Sequence, residues 1–124
     1  MTDRKRFTTQ DVAQQFYELA KQEKWFEIQD ALFSEDITST DPPGSEYLGY
    51  AAGKDKVRKK GEDWVKRISA VHHLHTTAPI VAAHHFVAGS AMDLDVAPFG
   101  RVQIHEIMLY EVRDGKIISE QFFY

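Results

Sequence analysis

No cysteine occurs in the 124 residues, so neither a disulfide framework nor a thiolate metal centre can be built. No apolar run approaches the roughly 20 residues of a membrane-spanning helix, and the N-terminus lacks a signal-peptide core. A cytoplasmic location is the expectation. Basic residues are not clustered: Arg4, Lys5 and Arg6 form one short patch, and the formal net charge is −4. That balance argues against a nucleic-acid or anionic-membrane partner. Gly49 and Gly53 stand alone rather than in a phosphate-cradling loop, and there is no GxSxG segment. Covalent catalysis by serine or cysteine therefore has no support. Repeats, low-complexity tracts and linkers are absent too.

What is present is the ordinary balance of a globular domain, 43% apolar and 27% charged residues. A chain of this size forms one domain, residues 1–124, and buries roughly two thirds of its unfolded surface. Thr8 with Asp11 three residues later predicts a helix start, and Val12, Phe16, Leu19 and Ala20 continue at helical spacing over residues 9–23. A second helix is expected from Lys24 to Phe33, burying Trp25, Ile28 and Leu32, and ended by Ser34-Glu35-Asp36. Ile37 to Thr40 reads as a short strand, and Asp41-Pro42-Pro43-Gly44 as a stiff turn. Period two puts Ile37, Ser39 and Asp41 on one face. Residues 44–52 have no clear period and read as a loop. A third helix opens at Gly53-Lys54-Asp55-Lys56, with Val57, Gly61, Trp64 and Ile68 along one side; Gly61 there permits close approach of a neighbour.

From Ser69 onward helical periodicity ends. Ala70 to Ala82 is β-rich but interrupted by Pro79, His84-His85 falls where a turn is needed, and Phe86 to Val96 is again a strand. After Ala97-Pro98-Phe99-Gly100, Val102, Ile104, Met108, Tyr110 and Val112 alternate along one face. Asp114-Gly115 is the strongest hairpin signal in the chain, and the return strand runs from Lys116 to Tyr124. Helices first and long strands afterward predict an α+β fold, with helices on one face of an antiparallel sheet.

One residue breaks the apolar face of the penultimate strand: Glu106. Buried without a partner it would cost several kcal/mol, roughly. It therefore either pairs with Arg101, Lys116 or Arg67 at the rim, or projects into a cavity as a pocket acid. Asp41 has the same two readings: a turn cap, or a general base in an apolar pocket. Should both face one cavity, their proximity pushes one carboxyl up and separates an acid from a base. Glu120 alternates with Ile118, Phe122 and Tyr124 and either faces inward or forms a salt bridge across the hairpin. The six histidines include His73 and His75 at i, i+2 on one strand face, but no HExxH or other metal motif occurs. No metal is expected, and a histidine of that face serves better as an acid–base or hydrogen-bonding group. Trp25 and Trp64 are core residues first. Trp64, Tyr17, Phe122 and Tyr124 also suit the wall of a small-molecule pocket.

The order helix–helix–strand–DPPG–helix–long strands, closing on YEVRDGKIISEQFFY, resembles the nuclear transport factor 2-like superfamily, and within it the SnoaL-like (polyketide-cyclase-like) proteins. The resemblance spans residues 8–124. It implies a cone-shaped, strongly curved sheet wrapped around about three N-terminal helices, the cystatin-like α+β barrel, with a pocket at its open end. It also implies a homodimer formed through the sheet. The stretch LFSEDITSTDP, residues 32–42, is similar to the ketosteroid isomerases, in which the aspartate before that proline, here Asp41, is the general base. Their oxyanion-hole tyrosine maps to Phe16 or Tyr17. Their second acid maps to Met108, and Glu106 lies two residues earlier on the same face.

These readings combine into a pocket for a small, apolar, oxygen-bearing molecule, served without a cofactor. Isomerisation, cyclisation or dehydration next to a carbonyl is the expected chemistry. Asp41 would abstract the proton while Tyr17, Glu106 or a histidine stabilises the enolate. Phe16, Trp64, His73, His75, Met108, Glu120, Phe122 and Tyr124 would line the pocket. The alternative is a non-catalytic ligand-binding or dimerisation module, whose acids are structural ion pairs.

Overall fold

The computed structural model describes residues 7–124; the Arg4–Arg6 patch lies outside them. Helix α1 (Thr9–Ala20) begins with the expected capping box, Thr8 and Asp11 each accepting the other's backbone N–H. It ends three residues earlier than its apolar pattern suggests, in a turn where Glu23 adopts a positive φ of 59°. Helix α2 (Trp25–Leu32) runs straight into strand β1 (Phe33–Thr40). Ser34-Glu35-Asp36 does not separate them by a loop. These residues bulge instead: the ladder skips from Phe33 to Thr38 on β1 while the partner advances only from Ile117 to Ser119. The composition signalled irregular backbone, and the bulge satisfies it inside a strand.

A two-residue strand β2 (Ala51–Ala52) closes the expected loop, and α3 (Lys54–Arg67) follows. Strands β3 (Ile68–Thr76), β4 (Ile80–Val81), β5 (His85–Val96), β6 (Gly100–Arg113) and β7 (Lys116–Phe123) complete one seven-stranded sheet. Its order is β2-β1-β7-β6-β5-β3, with β4 also on β5. Pro79 splits β3 from β4, as a residue without an N–H must at a ladder. His84 precedes the turn's end, but His85 already belongs to β5. The sheet is mixed rather than wholly antiparallel. β1 enters beside β7 in parallel, while every other pairing is antiparallel. The reason is topological: α2 returns the chain to the sheet in the direction β7 later takes. Asp114 and Gly115 both have positive φ, 52° and 76°, as a two-residue hairpin turn whose twist matches the strands requires.

The sheet is unclosed and its inner face carries the core. Phe16 on α1 packs its ring against Trp25, Phe86 and Tyr110, at centroid distances of 6.1, 5.2 and 4.8 Å. Val12, Ile37 and Ile117 are fully buried around them. On α3, Gly61 faces α2, and a methyl group there would stand 3.2 Å from the Phe26 ring, so the two helices approach as closely as the missing side chain permits. Among the described residues no helix is long and apolar enough to cross a membrane.

Candidate functional site

The alternation of β6 decides where the site lies. Ile104, Met108, Tyr110 and Val112 are buried on the inner face, and Glu106 shares it. At one end of that face α1 covers the sheet. Towards the other end a cavity of about 380 Å³ is left between the sheet, α2 and α3. Most of its wall is apolar, including Phe33, Trp64, Leu74, Met92, Ile104 and Phe122. Asp41, Glu106 and Glu120 all line it, with Lys60, Ser39 and Ser90.

A directed chain of polar contacts runs along one side. Ile37, Ser39 and Asp41 are buried together, as period two on β1 predicts. Asp41 is held by side chains distant in sequence rather than by its own turn. Its Oδ1 stands 2.5 Å from Lys60 Nζ, and its Oδ2 accepts the Tyr124 hydroxyl at 2.5 Å. Because Tyr124 gives its only proton to Asp41, Ser45 Oγ, also 2.5 Å away, donates to Tyr124. Lys60 donates to Ser39 Oγ at 2.8 Å, which leaves the Ser39 hydroxyl proton for Glu120. The pair Asp41–Lys60 is deeply placed, with side chains 2% and 10% exposed. Burial first, and then donation to Asp41, push the Tyr124 hydroxyl well above its ordinary range.

Glu106 is different. Arg101 is taken by Asp93, Lys116 bonds the Ala31 carbonyl and Arg67 donates to the Tyr47 carbonyl. Among the described residues no Lys or Arg forms an ion pair with Glu106. Removal from water, followed by the charges of Asp41 and Glu120, pushes its carboxyl up to about 8; Lys60 opposes this weakly. Glu120 is pushed up to about 7, chiefly by burial, against the Ser39 hydrogen bond and Lys60. Ser90 sits directly opposite Glu106 across the β5–β6 ladder and faces the same cavity. Near neutral pH this arrangement presents a protonated carboxyl beside a half-ionised one, in apolar surroundings. Such a pair can give one proton and take another.

Of the residues singled out from sequence, Asp41, Glu106, Trp64, Met108, Glu120, Phe122 and Tyr124 meet at this cavity. Four do not. Phe16 is core, consumed by its ring contacts. Tyr17, one position on, turns away from the cavity and lies under the Lys21 ammonium. His73 and His75 do share a face, but it is the outer one. A register shift between Val71 and His73 puts Leu74, not the histidines, on the inner side of β3. Glu120 faces inward without Ile118, because Ile118 is skipped in the pairing with β6 and the parity changes after Ile117. Sequence reasoning missed Lys60 and Ser90, and it placed Ser39 on the Asp41 face without giving it a role. Lys60 adjoins the stripe Val57, Gly61, Trp64 on α3, a signal that it borders the same space. Nothing comparable marked Ser90. Among the described residues no cluster of three His, Asp or Glu side chains is placed to hold a metal.

A family model for the SnoaL-like domain matches residues 7–124. Among solved structures, a protein of Mesorhizobium loti, provisionally named a SnoaL-like polyketide cyclase and bracketed as a carbohydrate phosphatase, is 29% identical. The match covers 94% of this chain and 99% of that one, with a TM-score of 0.88. A nuclear transport factor 2-like protein of unknown function from Burkholderia pseudomallei is 17% identical over 94% and 89% of the two chains, with a TM-score of 0.74. A Catenulispora acidiphila protein with a ketosteroid isomerase-like fold, solved with trimethylamine, is 18% identical over 78% and 72%, with a TM-score of 0.64. These last two share the fold. No curated protein matches the sequence.

Proposed function

The chain belongs to the SnoaL-like domain family, and on that premise we propose that its cavity binds a small, mainly apolar molecule bearing a carbonyl oxygen and catalyses proton transfer beside it. Isomerisation, cyclisation and dehydration are the reactions of this class. The observation that carries the reading is Glu106, an acid that forms no ion pair among the described residues, on a mainly apolar wall. In its neutral form Glu106 donates to the carbonyl oxygen and holds the enolate as charge develops there. Glu120, ionised in part at neutral pH, takes the proton from the adjacent carbon and returns it to the product carbon. Asp41 is not assigned the base, because both its oxygens are already engaged by Lys60 and Tyr124. It anchors the ammonium that borders the site. No cofactor enters these steps.

The test is hydrogen–deuterium exchange at the carbon next to the carbonyl of 2-tetralone in heavy water, followed by NMR. Exchange above the buffer rate, falling about a hundredfold in Glu106→Gln and in Glu120→Gln, is the expected result. Exchange equal in wild type and both variants would leave a binding module without catalysis. The neutralised Asp41–Lys60 pair favours that second reading. For the outer face of the sheet we propose pairing with a second copy. Ile107 and Phe123, neighbours across β6 and β7, are 52% and 46% exposed there. Sedimentation of Ile107→Asp as a monomer, against a wild-type dimer, is expected; a monomeric wild type would end that proposal.

A further inference from the structure

Beside the cavity lies a second, more open groove of about 550 Å³, on the other side of the segment 47–49. The two spaces are not independent. Tyr47, Leu48 and Lys60 line both. Helix geometry explains the sharing. Val57, Gly61 and Trp64 turn one side of α3 to the cavity, while Lys56, Lys59, Lys60 and Asp63 fall on the adjoining side, facing Tyr50 and β2. Lys60 stands at the boundary.

The charges of the two compartments are opposite. Among the described residues the cavity is lined by four carboxyls, Glu23, Asp41, Glu106 and Glu120, against Lys60 alone. The groove holds three lysines against one carboxylate, Asp63. Of these lysines, Lys60 is engaged by Asp41 and Lys59 by an exposed 3.4 Å contact to Asp63. Lys56 makes no ion pair or hydrogen bond among the described residues. The cavity has a mainly apolar wall and its one lysine is taken by Asp41, so it offers an anion no free cation, whereas the groove offers Lys56; an amphipathic anion can therefore lie across the boundary in one direction only.

Building on the cavity reading above, we infer that the ligand is such a molecule: an apolar, carbonyl-bearing body within the cavity and a carboxylate or phosphate tail in the groove, held by Lys56 and Lys59. The groove is then the part of the site that selects charge, and the cavity the part that selects shape. Lys56 and Lys59 are specificity residues, remote from the reacting carbon.

The experiment uses the fluorescent neutral probe N-phenyl-1-naphthylamine, displaced from the whole protein by decanol, decanoate or decyl phosphate. Decanol reports the cavity alone. Decanoate, decyl phosphate or both should displace the probe about fivefold more tightly than decanol at low salt, the upper range for exposed charge pairs. The stronger of the two identifies the tail. That advantage should vanish in the double variant Lys56→Gln/Lys59→Gln and at high salt, with decanol unchanged. It should persist in Lys24→Gln/Lys66→Gln, a charge control away from the groove. Decanol binding as tightly as both anions, or equal losses in the two double variants, would overturn the inference and leave the cavity reading standing. Failure of probe and all three competitors to bind would overturn both.

Discussion

The two ends of the inner sheet face are built from the same strands and behave differently. Where α1 lies on the sheet, Phe16, Phe86 and Tyr110 fill the space and only a weak contact, Tyr110 Oη to Met108 Sδ at 3.6 Å, needs a polar partner. A few residues along β6 the helix cover ends, and the same alternation presents Glu106 to an open cavity. Period two decides which side chains face inward, but not whether something meets them there. The packed end contributes stability. The open end gives up burial and holds carboxyls away from bulk water, which is what raises two of them.

Breaking the packed end should have the largest effect. Phe16→Ala removes the ring on which Trp25, Phe86 and Tyr110 converge and is expected to cost about 4 kcal/mol in chemical denaturation. At the open end, Lys60→Met strands the buried Asp41 carboxylate and should cost about 3 kcal/mol. Adding Asp41→Asn should recover most of that loss. A double variant no more stable than the single one would mean that Lys60 acts through packing rather than charge.

Glu106 sharpens the contrast through pH. Its folded carboxyl sits near 8 instead of the ordinary 4.5, so the folded state holds a proton that the unfolded state has released. The associated stability is complete below about 4.5 and is lost as pH rises through about 8. Glu106→Gln keeps that site neutral. Its stability relative to wild type should therefore rise by about 4 kcal/mol between pH 5 and pH 8.5, by urea denaturation at the two pH values. The smallest effect belongs to the outer face. His73→Ala and His75→Ala should each change stability by less than about 0.5 kcal/mol and leave probe binding in the cavity unaltered.

Much of this architecture is legible in the sequence itself. The capping box at Thr8, the Asp114-Gly115 turn and the alternation of β6 are local rules, and local rules survive folding. The shared face of Ile37, Ser39 and Asp41 followed from the same period, which left open whether Asp41 and Glu106 meet. What failed was whatever depends on a bulge or on partners distant in sequence. One extra residue near His72 sent His73 and His75 outward, and another at Ile118 changed the company of Glu120. The parallel pairing of β1 with β7 joins opposite ends of the chain, and no short window contains it. The stripe on α3 marked the place of Lys60 but not its partner: its role exists only because Asp41, nineteen positions earlier, is folded against it.

The central claim is that the cavity keeps Glu106 and Glu120 out of the ordinary carboxylate range, and carbon-detected NMR titration of the glutamate side chains tests it most directly. Two carboxyl resonances should titrate apart from the others, with apparent midpoints near 8 and near 7, and the upper one should disappear in Glu106→Gln. If every glutamate titrates below about 5, the cavity does not shield these carboxyls from water and the acid–base account fails.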